Sequence, residues 1–66
     1  MKEQLIKDTL NTMRERYRND SDILSAIDRE EKDIEYLLEK EKDSGYKGQS
    51  ALQHLRMFQS ELEYWN

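Results

Sequence analysis

His54 is the single histidine of this 66-residue sequence and the one side chain that ordinarily titrates near neutral pH, so it is the first candidate for proton transfer. Ser50 precedes it by one helical turn, a spacing that would put a hydroxyl and an imidazole on the same helix face. That serine is better explained as a helix cap, and no third group is placed to orient the ring as a nucleophile-base pair requires. The expectation is a solvated helix histidine, no catalytic residues and no enzymatic activity.

Glu31, Glu35 and Glu39 recur one helical turn apart and present an acidic face that would in principle hold a cation. Carboxylate-bridged bundle sites need a Glu-x-x-His pair on each of two helices, and His54 follows Gln49, Ser50 and Ala51 instead. With no cysteine for thiolate ligation and one histidine, no metal site is expected, and the face reads as solvated charge partly matched by Lys32 and Lys40. The two glycines lie in GYKG, with no preceding strand and no lysine followed by Ser or Thr, so no phosphate loop and no cofactor are expected.

Arg14, Arg16 and Arg18 gather where a first helix should end, a position favoured for cations by the helix dipole. A DNA-binding regulator built on these three arginines is one functional reading. The formal charge of −4 disfavours it, since phosphate binding depends on displacing counterions with Lys and Arg, and direct nucleic-acid binding is not expected. The negative charge is concentrated. Residues 28–43 hold eight acids against four bases, while the segments on either side are balanced. That asymmetry motivates another reading, an acidic mimic of a nucleic-acid backbone that occupies a DNA- or RNA-binding protein.

Large apolar side chains point to protein binding. Phe58, Tyr64 and Trp65 fall within eight residues, and aromatic side chains dominate interface hot spots because they bury large areas at small entropic cost. With Leu62 beside them, and with Ile6, Leu10, Met13 and Tyr17 from the first segment, they form the candidate interface.

The elements that must position these residues are helices. Proline and valine are absent, Leu, Glu, Lys, Arg and Gln abound, and strict apolar alternation occurs nowhere. Ile6, Leu10, Met13 and Tyr17 make a narrow stripe that predicts a helix over 2–18. Asn19, Asp20, Ser21 and Asp22 follow, each a good N-cap, and predict a turn there in preference to a kink in one long helix. A second helix over 21–42 turns Ile23, Leu24, Ile27, Ile34, Leu37 and Leu38 inward. At its centre Glu30 or Glu31 occupies an inward position, so that a carboxylate there is either projected past the core or paired across an interface. Gly45 suits a left-handed helix end, and Ser50 with Gln53 reads as a capping box that opens a third helix over 51–65. Its seam is Ala51, Leu55, Phe58, Leu62 and Trp65, with Met57 and Tyr64 on a neighbouring face.

The segment from Ile34 to Trp65, a helix, a glycine-containing loop and a helix ending QSELEYW, faintly resembles the small sporulation aspartyl-phosphate phosphatases of Gram-positive bacteria. These end in a Ser-Gln-Glu-Leu-Asp signature. Aligned on Glu61 and Leu62, the signature serine becomes Gln59 and the aspartate becomes Glu63, so both functional positions depart from the pattern and no activity is carried over.

One all-α domain spanning 1–66 is therefore expected, a helical hairpin or small three-helix bundle. A chain this short buries only about 60% of the surface its unfolded form exposes, with no disulfide or metal to staple it. The stripes look larger than one copy can hide, which predicts completion by homodimerisation. The expected function is a small non-enzymatic module that binds another protein as adaptor, regulator or inhibitor. Small stand-alone acidic helical chains are often encoded by phages and mobile elements to block host enzymes, and such an inhibitor is one form of that expectation. Without cysteine, a signal-like apolar segment or an apolar run of about 20 residues, a cytoplasmic location with no membrane partner is expected.

Overall fold

The computed structural model describes residues 2–65, the side chain of Trp65 apart. It is a three-helix bundle, α1 (Lys2–Arg16), α2 (Ser21–Glu41) and α3 (Ala51–Trp65), with no strand among the described residues. None of these helices is long and apolar enough to cross a membrane.

The apolar spacing decides which faces meet. Ile6, Leu10 and Met13 from α1, Ile27 and Ile34 from α2, and Ala51, Leu55 and Leu62 from α3 form one core, none more than 8% exposed. Tyr17, Ile23, Leu24, Leu37, Leu38, Leu52 and Phe58 are packed around it, partly buried. The centres of the three stripes are thus hidden by one another within a single chain. The flanking apolar residues keep part of their surface exposed, and Leu5, Tyr36, Met57 and Tyr64 are each more than half exposed.

Local chemistry sets the helix ends. Tyr17 to Asn19 form the turn between α1 and α2, and Asp20, in extended backbone, accepts a hydrogen bond from the Ile23 N–H at 3.2 Å and caps α2. Ser50 Oγ accepts from the Gln53 N–H at 3.1 Å, as its capping position predicts. At Gly45 the expectation needs correction. The residue that closes α2 is Lys42 in right-handed backbone, and no glycine has positive φ. The turn is held instead by Asp43, whose carboxylate accepts from the Gly45 N–H at 2.9 Å, so a side chain does the work that left-handed backbone would have done. Gly48 is the glycine that sterics require. A Cβ there would come within 2.3 Å of the Tyr46 hydroxyl, which donates to the Gln49 carbonyl at 2.8 Å and lays its ring across the loop.

Glu41 ties the three helices at one end. Its carboxylate receives Lys2 of α1 at 2.5 Å and the Ala51 N–H that opens α3 at 2.8 Å. Lys2 first, and then the Ala51 amide, hold the Glu41 pKa below the usual carboxylate value. With Arg14 of α1 bonded to Asp28 and Glu31 nearer the start of α2, α1 runs antiparallel to α2. α3 also returns antiparallel to α2, so α1 and α3 are parallel neighbours. Contact between those two is the least extensive in the bundle.

Candidate functional site

That weak contact opens a groove of about 250 Å³ between α1 and α3, lined from α1 by Asp8, Thr9, Thr12 and Met13 and from α3 by Gln59, Leu62 and Glu63. Arg16 and Tyr17 close it at the end of α1, with the Arg16 guanidinium 5.6 Å from the centre of the Tyr17 ring. Met13, Tyr17 and Leu62 supply its apolar surface, the rest of the lining is polar, and its rims carry both signs of charge.

The interface candidates divide. Met13, Tyr17 and Leu62 border the groove, although Met13 and Leu62 are mostly buried. Ile6 and Leu10 are each 2% exposed and belong wholly to the core, so they are corrected from interface to core residues. Their faces meet α2 and α3 before any partner can reach them. Phe58 is half-buried against the core, Tyr64 is 89% exposed, and the Trp65 side chain lies outside the described residues. Met57, 54% exposed, shares the outer face of α3 with Tyr64 two turns on.

The charged candidates find different partners from those their spacing suggested. Glu31 accepts from Arg14 at 2.6 Å, Glu39 from Lys42 at 3.3 Å, and Lys40 lies 5.4 Å over the Tyr36 ring, so Lys32 and Lys40 are not what match Glu31 and Glu39. Glu35 is exposed. Among the arginines, Arg14 also donates to Asp28 at 3.0 Å, and the pull of Glu31, then Asp28, raises its pKa further. Arg18 is bonded to Glu15 at 2.9 Å. Arg14 and Glu31 are therefore turned toward their own chain, while Arg16, Arg18, Glu35 and Glu39 stay exposed.

The expectation for His54 is overturned. Its ring is not simply solvated: Nδ1 lies 2.7 Å from Oε2 of Glu30, a carboxylate only 5% exposed, while the histidine side chain keeps 32% exposure. Glu30 occupies the core side of α2 between Ile27 and Ile34, the position that the stripe assigned to Glu30 or Glu31, and its partner comes from α3 of the same chain. Burial raises the Glu30 pKa above the ordinary value, His54 opposes that rise, and the neighbouring charges of Asp33 and Glu61 add to it. A donor atom from each of Glu30, Asp33 and His54 lies within 4.8 Å of the other two. No motif along one helix signals this trio; the inward acid facing a histidine of the next helix was the available clue. Beside it is a second cavity, of about 220 Å³, lined by Glu30, Gln49, His54, Met57, Phe58 and Glu61.

Comparison of this chain with protein-family models, with curated proteins and with solved structures gives no match in any of the three.

Proposed function

We propose that this protein is a non-enzymatic protein-binding module, an adaptor, regulator or inhibitor, that holds a partner's helical segment in the α1/α3 groove. The observation that carries this reading is the groove itself. A bundle whose third side stays open keeps Met13, Tyr17 and Leu62 beside the polar Thr9, Thr12 and Gln59 and the charged Asp8, Glu63 and Arg16, where a fourth helix would cover the apolar groups and pair with the polar and charged ones. A phage or mobile-element inhibitor of a host enzyme is one form of the same role.

A second copy of the chain is the other occupant the groove admits, which keeps the homodimer as a reading of the same surface. The acidic-mimic and DNA-binding readings draw less support, because Arg14 pairs with Asp28 and Glu31 and Arg18 pairs with Glu15. Charge used inside the chain contributes little to long-range attraction.

The test places a photo-reactive benzophenone side chain at Thr12, in the groove, or at Lys47, in the loop, within cells of the source organism. Trapping of one defined protein from Thr12 and not from Lys47, lost when Thr9→Arg fills the groove without lowering the melting temperature, is expected. The same adducts from both positions would refute the groove, and an adduct of twice the chain mass would identify the homodimer.

A further inference from the structure

We infer that Glu30, Asp33 and His54 form a binding site for a divalent first-row transition metal, with Zn2+ as its simplest probe. This does not rest on the groove reading and uses the opposite side of α3.

The argument starts from an unusual position. A carboxylate on the core face of α2, flanked one turn either way by Ile27 and Ile34, is a costly residue to bury, and an apolar one would continue the stripe. Its partner is an imidazole nitrogen delivered by a different helix, 2.7 Å away. Asp33, three residues along α2 from Glu30, contributes a third donor from the same face, and the three donor atoms fall within 4.8 Å of one another. Metal–ligand distances of about 2.0–2.2 Å place tetrahedral donors roughly 3.4 Å apart. The Glu30–His54 contact must therefore open slightly and the exposed Asp33 close in, adjustments that side-chain rotation supplies without moving the helices.

The donor set selects the class of ion. Two carboxylates with one imidazole nitrogen fall outside the all-oxygen shell of calcium and magnesium and suit zinc or a neighbouring transition metal. The 220 Å³ cavity alongside leaves space for water in the remaining coordination position, and Glu61 on its wall adds another nearby carboxylate. A bound dication would neutralise the mutual repulsion of Glu30, Asp33 and Glu61 and would link α2 to α3 directly.

Calorimetric titration of the tag-free protein with Zn2+, together with thermal melts in the same solutions, tests the site. One ion per chain and a rise in melting temperature are expected. Asp33→Asn, at an exposed position that leaves the core intact, is expected to weaken binding by at least the roughly 10- to 100-fold that losing even an outer-shell partner costs. His54→Gln should abolish it, and Glu35→Gln, an exposed acid of the same helix outside the trio, should leave it unchanged. The inference is overturned if Zn2+ gives neither heat nor a melting shift, if binding survives both Asp33→Asn and His54→Gln, or if Glu35→Gln weakens it as much as Asp33→Asn.

Discussion

Glu30 shows what a single side chain can reveal that a stripe does not. The heptad-like spacing around it was legible, and so was the oddity of an acid at an inward position. Its partner was not, because His54 is 24 residues away and only the return of α3 makes the pair. Sequence spacing reports neighbours on one helix, whereas Glu30, Asp33 and His54 are neighbours across two. The same limit explains Glu31, whose cation comes from α1 and not from the lysines beside it. A buried ion pair is weak evidence for stability, and its replacement by well-packed apolar groups is often neutral or stabilising. Replacing both members together, Glu30→Leu with His54→Leu, is therefore expected to leave stability unchanged or raise it by about 1 kcal/mol at neutral pH in chelator-treated buffer, measured by urea denaturation. A loss of 3 kcal/mol or more would instead make the pair a structural necessity.

At the scale of elements, all three helices could be read from the sequence to within about two residues, since apolar periodicity and capping residues act locally. The loop was less legible. Gly45 looked like a left-handed stop, but Asp43 satisfies the turn from a side chain, an option that composition does not distinguish. Glu41 was invisible for another reason: its two partners come from residues 2 and 51, joined only once the helices assemble. Because its folded pKa is lowered, the stabilisation it provides is fully present above the ordinary carboxylate value of 4.5 and is lost as pH falls through the folded value. Glu41→Gln is accordingly expected to lower stability at pH 7 by about 0.5–1 kcal/mol, a figure discounted for the solvent exposure of Lys2, and to converge with wild type in acid. Parallel denaturation curves from pH 7 down through the acid range check this, and a gap that does not narrow as pH falls below 4.5 would contradict it.

The whole molecule buries its core alone, and that separates two roles for Leu10. As a core residue, Leu10→Ala should cost about 2–5 kcal/mol out of a total of roughly 3–10 kcal/mol for a chain of this size, and lower the melting temperature by about 10 °C or more. As an interface residue it would weaken association and leave the melt of dilute protein nearly unchanged. Melting of wild type independent of concentration would show that one chain suffices, whereas a rise with concentration would mark a second copy in the groove.

The parallel course of α1 and α3 has a directional consequence for whatever helix enters between them. Their peptide dipoles point the same way, so the carbonyl ends of both lie together at the Arg16 and Trp65 end of the groove, and their amide ends lie together where Glu41 sits. A guest helix entering with its own amide end toward Arg16 would set opposite dipole ends side by side on both flanks, while the reverse entry would align all three. The groove is thus polar in the vectorial sense, with a preferred way in, and photo-crosslinks moved from Asp8 to Thr12 should reach progressively earlier residues of the trapped segment.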